Sequence, residues 1–350
     1  MIFVRPSSTE PDLCVVVPAY NEAPNIGALY EEVCAALDGA GVTWTILFVD
    51  DGSTDDTPAL LHALRQRDPR VMSIRLARNF GLQSALAAGM AYAPGRAVVI
   101  MDADLQDDPG AVRDFLARWR DGANVVYAVR TKRQEWFGKR ALFYGFHAVL
   151  SRFADIPIPR DAGTFALYDR RVVNLINAMP ERGRYLPGLR AWVGLRQEGI
   201  PVARHARRAG RPAQSLARLM SLALDGLLSF SKAPLHLATT LGFSVTVLSA
   251  VALLVVAYWR FVQHSFPSGV GLATIALSLL FLGGVQLLLI GILGEYLGRV
   301  FDEVKQRPLF IVSDVSGIDA LDVEPATGAP PSAHPLAGHD AGLGSRQPIR

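Results

Sequence analysis

Cysteine is scarce in this chain of 350 residues: Cys14 and Cys34 are its only two. That count excludes a disulfide framework and any cysteine-based metal spacing, and both residues sit in apolar segments that read as strand and helix core. Charge of one sign is scarce too, with 35 basic against 32 acidic residues for a net +3. So balanced a chain makes no electrostatic case for nucleic acid. The basic residues gather between Arg130 and Arg218, a placement that points to phosphates or a membrane surface. Met1 to Asp12 has no apolar core, so it does not read as a signal peptide.

Charge is missing altogether from two long stretches, Leu237–Trp259 and Gly269–Gly294. The first is about 23 residues, or about 35 Å as a helix, enough to span a bilayer. Arg204, Arg207, Arg208, Arg211, Arg218 and Lys232 precede the pair, and Arg299, Lys305 and Arg307 follow it; only Arg260 and His264 lie between. The positive-inside rule then predicts a hairpin with both flanks cytoplasmic, with Tyr258, Trp259 and Phe261 as an interfacial belt on the far side. Leucines recurring from Leu216 to Leu228 at helical spacing suit a helix along the membrane surface, a soluble core helix being the alternative.

Ahead of these stretches the pattern alternates. Leu13–Pro18, Trp44–Val49, Val71–Leu76, Ala97–Met101 and Asn124–Val129 are apolar runs of strand length. Helical patterns separate them: Pro24 to about Ala40, a segment reaching Arg67 with Ser53 and Asp56 as a capping arrangement, Gln83–Tyr92, and one opening near Pro109. This order predicts an α/β fold with a mostly parallel sheet covered by helices on both faces. Polar clusters follow the strands at their C-terminal ends, the edge where such sheets bind ligands.

The densest cluster is Met101-Asp102-Ala103-Asp104-Leu105-Gln106-Asp107-Asp108-Pro109. In an extended stretch alternate side chains share a face, so Asp102, Asp104 and Gln106 present three oxygens to one hard cation, Mg²⁺ or Mn²⁺, holding a diphosphate. The plainer alternative is that these acids cap the following helix, the role expected of Asp107 and Asp108. Asn21, Asp50 and Asp51 have a plain alternative as turn residues.

Pro18-Ala19-Tyr20-Asn21-Glu22, Val49-Asp50-Asp51-Gly52-Ser53-Thr54-Asp55, Arg78-Asn79-Phe80-Gly81 and Met101 to Gln106 resemble, in order, the motif series of family 2 glycosyltransferases of the GT-A fold. Within these the chain is most similar to the polyprenyl-phosphate glycosyltransferases of the dolichol-phosphate mannose synthase type, especially their bacterial membrane-hairpin members. The resemblance implies that Pro18, Tyr20, Glu22, Asp50, Asp51 and Arg78 line a nucleotide site. It also implies that Asp102, Asp104 and Gln106 hold the metal.

Asp161, in Asp161-Ala162-Gly163-Thr164-Phe165, matches an acidic position of the family that orients acceptor or sugar. Thr164 stands where many relatives carry a second Asp, and Arg211-Pro212-Ala213-Gln214 departs from a common Glu-Ser-Lys-Tyr. Arg130, Lys132, Arg133, Arg207 and Arg208 are the candidates for a lipid phosphate, a solvated charged face being the alternative for the first three.

The activity implied is inverting transfer of a sugar from a nucleotide-sugar, a UDP-sugar foremost, to a polyprenyl phosphate such as undecaprenyl phosphate at the cytosolic membrane face; the resemblance to the membrane-hairpin members also implies a homotetramer. The map that follows is a polar arm at 1–12, a cytosolic GT-A domain at 13–203, basic amphipathic helices at 204–234 and the hairpin at 235–298. A cytosolic segment at 299–318 and a disordered tail at 319–350 complete it. Two rivals are a processive polysaccharide synthase, against which stands the absence of Gln-x-x-Arg-Trp, and a membrane module with a decayed nucleotide site, against which stand the intact acids.

Overall fold

The computed structural model of the protein describes residues 11–130, 162–182, 184–202, 233–262 and 271–318. Its elements in chain order are β1 (Leu13–Ala19), α1 (Ala23–Leu37), β2 (Trp44–Asp50), α2 (Thr57–Arg67), β3 (Val71–Leu76), α3 (Leu82–Tyr92), β4 (Ala97–Ile100), α4 (Ala111–Arg120) and β5 (Val125–Arg130). There follow β6 (Ala162–Asp169), α5 (Arg170–Ala178), α6 (Leu186–Val193), β7 (Gln197–Val202), α7 (Ala233–Phe261), α8 (Gly271–Val304) and β8 (Val312–Ser316). The amphipathic segment expected at 216–228, residues 1–10 of the arm and the tail from 319 lie outside the described residues.

One eight-stranded sheet runs in the order β7-β5-β6-β4-β1-β2-β3-β8. The first four strands of the chain pair in parallel, as the alternating pattern predicts. β6 and β8 run antiparallel to their neighbours, so the sheet is mixed. Every residue of β1 is buried. Leu13, Val15 and Val17 enter one core with α1 and α4, while Cys14 and Val16 enter the other with α3, α5 and α6. A strand covered on both faces has no use for polar alternation, which is why the sequence there is a continuous apolar run.

Pro18 sits in this central strand without breaking the ladder. Two residues earlier Val16 O accepts from Met101 N at 3.0 Å, and β4 ends at Ile100, so the N–H that proline lacks would face no partner strand. Helix α3 lies close on the sheet because Gly89 has no side chain: a Cβ there would come within 2.3 Å of Val16 Cγ1. The Asp169-Arg170-Arg171 sequence forms a helix start as its pattern suggests. Asp169 Oδ1 accepts from Arg171 N at 2.9 Å, and the Arg170 guanidinium donates to the carbonyls of Gly95 and Ala93 just beyond α3.

Some local expectations are corrected. Ser53 and Asp56 form no capping arrangement: α2 begins without a side-chain cap at Asp56, and Asp55 Oδ1 accepts from Thr57 N instead. Helix α1 stops at Leu37, where Asp38 turns extended, and left-handed glycines at 39 and 41 carry the chain into β2. Ahead of α4, which starts at Ala111, Asp108 meets the expectation of a cap, its carboxylate accepting from the N–H of the helical Gly110 and its carbonyl from Ala111 N; Asp107 does not cap.

Of the two expected spans, both segments are helical. Among the described residues one helix is long and apolar enough to cross a membrane, Ser278–Val304, and none of it is buried. The chain then returns to the sheet. Ile311 O accepts from Ala77 N, Ser313 Oγ donates to Arg75 O, and β8 pairs with β3, covering what would otherwise be an open edge. Arg182 ties the end of α8 down: its backbone N–H donates to Glu303 Oε1 at 2.8 Å and its guanidinium to the carbonyls of Asp302 and Arg307.

A partly buried ionic cluster closes the start of β3. Asp68 accepts from Arg70 Nη2 at 2.7 Å, from Arg70 N at 2.8 Å and from Tyr30 Oη at 2.6 Å. These bonds, Arg70's foremost, hold the Asp68 carboxyl down to about 2. Because the folded value lies below the ordinary one, the stabilisation is complete above about pH 4 and is lost as the pH falls toward 2. The wild type should therefore exceed Asp68→Asn by about 2 kcal/mol at pH 7. Denaturant unfolding as a function of pH should show that gap closing between pH 4 and 2.

Candidate active site

The acids fall on one edge because β1, β2 and β4 all point the same way and end at the same level. β2 ends in Asp50, opposite Ala19 on one side and Arg75 on the other. Asp50 and Asp51 are both buried, and three of their four carboxylate oxygens accept backbone N–H groups: Asp50 Oδ1 from Ser53 at 2.8 Å, Asp51 Oδ1 from Phe80 at 2.7 Å and Asp51 Oδ2 from Gly81 at 2.9 Å. The fourth, Asp50 Oδ2, is buried without a hydrogen bond and lies 3.3 Å from Arg75 Nε. Burial pushes the Asp51 carboxyl up, against the two N–H donors and Arg78, which draw it down.

Asp51 thus fastens the loop after β3 to the end of β2. Gly52 makes that approach possible: its φ is +69°, and a Cβ would stand 2.6 Å from the carbonyl carbon of Arg78. Asn21 fastens the loop after β1 in turn. Held at φ 55°, it donates its N–H to Ser53 Oγ at 2.9 Å and accepts from Thr54 N at 2.8 Å. Glu22 donates its N–H to Thr57 Oγ1, while its carboxylate is turned onto Asn25 Nδ2 at 2.6 Å. Pro18 is buried beneath them, Tyr20 is 45% exposed at the rim, and the exposed Arg78 guanidinium lies 4.2 Å over the Phe80 ring.

The Asp102–Gln106 stretch differs from its expectation in backbone. It is a turn beyond β4, with Leu105 at φ 58°, where an extended strand was expected. Burial nevertheless alternates: Met101, Ala103 and Leu105 are buried, Asp102, Asp104 and Gln106 half-exposed. Asp107, expected as a helix cap, reaches back to accept from Asp102 N at 3.2 Å, and Asp108 accepts from Gly110 N at 2.8 Å. Gln106 N donates to Asp104 Oδ1 at 3.2 Å.

No group of three His, Cys, Asp or Glu side chains able to hold a metal occurs among the described residues. Two carboxylates and an amide oxygen, all hard donors, fit a Mg²⁺ or Mn²⁺ that completes its shell with water and ligand phosphates, as Mg²⁺ ordinarily does.

The structure therefore brings together Pro18, Tyr20, Glu22, Asp50, Asp51 and Arg78 around three interlaced loops, with Asp102, Asp104 and Gln106 one strand away. Arg130 ends β5; Lys132, Arg133, Asp161, Arg207 and Arg208 lie outside the described residues. Sequence reasoning gave Ser53 a capping role and passed over Thr57 and Arg75. Arg75 left a signal, a lone charge in the otherwise apolar β3, whose Nη2 donates to Ser53 O at 3.0 Å.

Residues 14–176 match the family model described as Glycosyl transferase family 2. An uncharacterized glycosyltransferase of Synechocystis is 42% identical over 89% of this chain and 98% of its own length. A prophage bactoprenol glucosyl transferase homolog of Escherichia coli is 35% identical over 87% of this chain and 99% of its own. Among solved structures, a mannosyltransferase of Pyrobaculum calidifontis in complex with GDP-Man and Mn²⁺ matches with a TM-score of 0.43 and 21% identity, covering 84% of this chain and 89% of that one.

Gly52→Ala should destabilise the protein by about 2–4 kcal/mol, from a left-handed non-glycine residue and a clash with backbone that has no room to yield. Thermal unfolding checks the magnitude. Loss of nucleotide binding beyond the loss of folded protein checks that the loop junction shapes the site.

Proposed function

The chain belongs to glycosyl transferase family 2, and from that premise we propose that it transfers a sugar from a nucleotide-sugar to the phosphate of a polyprenyl lipid at the cytosolic face of a membrane. The observation that carries this reading is where the chain re-enters the sheet. β8 begins at Val312 beside Leu76, at the same edge as the acids, and only residues 305–311 separate it from the end of α8. Seven residues reach at most about 25 Å. An exposed apolar helix thus ends within that reach of the acid-rich edge, where a lipid-borne acceptor would arrive. The names of relatives that are bactoprenol glucosyl transferases support a polyprenyl acceptor and make UDP-glucose the first donor to test.

In this reading Tyr20 offers its exposed ring to the base, and Asp50 Oδ2, the acceptor no N–H satisfies, takes a donor group of the nucleotide. Pro18, Glu22 and Asp51 shape the pocket and Arg78 meets the phosphates. Asp102, Asp104 and Gln106 would hold a Mg²⁺ or Mn²⁺, which when bound offsets charge on the departing nucleoside diphosphate. The acceptor demands little of the protein: a phosphate monoester with a second pKa near 6 is largely a dianion at pH 7. Direct displacement by that oxygen inverts the anomeric carbon. Asp161 orients acceptor or sugar, and Arg130, Lys132, Arg133, Arg207 and Arg208 bind the lipid phosphate. The two apolar helices form a hairpin with both ends cytoplasmic, in a homotetramer.

Purified protein in detergent, given Mg²⁺ or Mn²⁺, UDP-glucose and undecaprenyl phosphate, should yield a lipid-linked sugar. Asp104→Ala should lower the rate on the order of 10²–10³-fold with the fold intact. Absence of product from a panel of nucleotide-sugars, with nucleotide binding retained, would overturn the acceptor assignment.

A further inference from the structure

Arg190 has no exposed surface, and no acid among the described residues pairs with it. Its guanidinium lies 4.3 Å over the ring of Tyr127, and Nη1 makes one long hydrogen bond, 3.4 Å, to the carbonyl of Gly163. Nε and Nη2 are buried without a hydrogen bond of ordinary geometry, beside the Tyr168 phenol, whose oxygen is likewise buried and unbonded. A guanidinium in that condition is costly, since a buried charge needs a counter-charge or hydrogen bonds to offset its lost hydration. A merely structural side chain at this position would be better served by an apolar residue of similar volume.

Its place in the fold gives the charge a purpose. β6 pairs antiparallel with β4, Ile100 opposite Ala166. β6 begins at Ala162, ahead of the Ala166 that pairs with Ile100, so Gly163 lies past the end of β4, at the edge of the sheet where the Asp102–Gln106 turn begins. Helix α6, which carries Arg190, packs over β6 in the core shared with α3 and α5. The Tyr127 ring holds the plane of the guanidinium, so the Nε–Nη2 pair is a fork fixed in advance of its ligand, and planar forks match phosphoryl oxygens.

We propose that Arg190 is a phosphate-binding residue, its Nε and Nη2 donating to phosphoryl oxygens of a substrate. This rests on the transfer reaction proposed above, which supplies two sources of that chemistry, the diphosphate of the donor and the phosphate of the lipid.

The test uses the full chain in detergent with Arg190→Met and Arg190→Lys, read by thermal shift with Mg²⁺ and inorganic pyrophosphate, by thermal shift with undecaprenyl phosphate, and by the KM of each substrate. Arg190→Met should melt at or above the wild type. It should lose the stabilisation given by one of the two probes and raise the corresponding KM by about 10- to 100-fold, the worth of hydrogen bonds to a charged group. Arg190→Lys should restore part of it. Loss with pyrophosphate assigns the fork to the donor, loss with undecaprenyl phosphate to the acceptor. Both shifts intact in Arg190→Met, a lowered melting point with both affinities retained, or a wild type that answers neither probe would each overturn the proposal. Normal transfer by Arg190→Met would sink it and leave the transfer reaction standing. Phosphate binding that depends on Arg190, in a protein that transfers no sugar, would do the reverse.

Discussion

Two buried carboxylates at the end of β2 hold the acid-rich edge together. Asp50 and Asp51 sit where desolvation penalises charge, and each is kept there by N–H groups of the loops around it. The dependence runs both ways. Without the acids, the N–H groups of Ser53, Phe80 and Gly81 would lack these acceptors; without the tight return at Gly52, the backbone at Arg78 could not come close enough to donate. Asn21 then extends the junction to the loop after β1. Three loops far apart in sequence become one rigid rim, which is what a nucleotide site requires of its walls.

The same economy of direction shapes the rest of the molecule. Parallel pairing of β1 with β2 and β4 delivers the polar strand ends to one side, and the antiparallel β6, beside β4, and β8, at the outer edge beside β3, both start from that side. β6 contributes the Gly163 carbonyl against Arg190; β8 carries the end of the exposed apolar helix to within a few residues of Leu76. A reaction between a water-soluble donor and a lipid-borne acceptor needs these two approaches to meet, and the proposed function places the transfer at their meeting point.

Much of this was legible in the residues. Continuous apolar runs marked the buried strands, because a strand covered on both faces leaves no ambiguity of period, and the ends of β3 were read without error. Asp102, Asp104 and Gln106 were expected on an extended stretch that does not form; burial still alternates through the turn that stands there, because Met101, Ala103 and Leu105 are drawn into the core. Capping was misread at Ser53 and at Asp107. A short polar side chain next to a helix start is an equally good partner for a distant loop, and sequence spacing cannot weigh the two.

The sequence by itself determined the fold class, the edge on which the acids gather and the apolar stretches, since each of these follows from local period and from where polarity interrupts it. It took the folded chain to show that Asp51 clamps the loop after β3, that Arg75 stands beside Asp50, that β8 pairs with β3 and that Arg190 is buried with Nε and Nη2 unbonded. Those are contacts between residues dozens to hundreds of positions apart. Their existence depends on strand order and register, which no local pattern encodes.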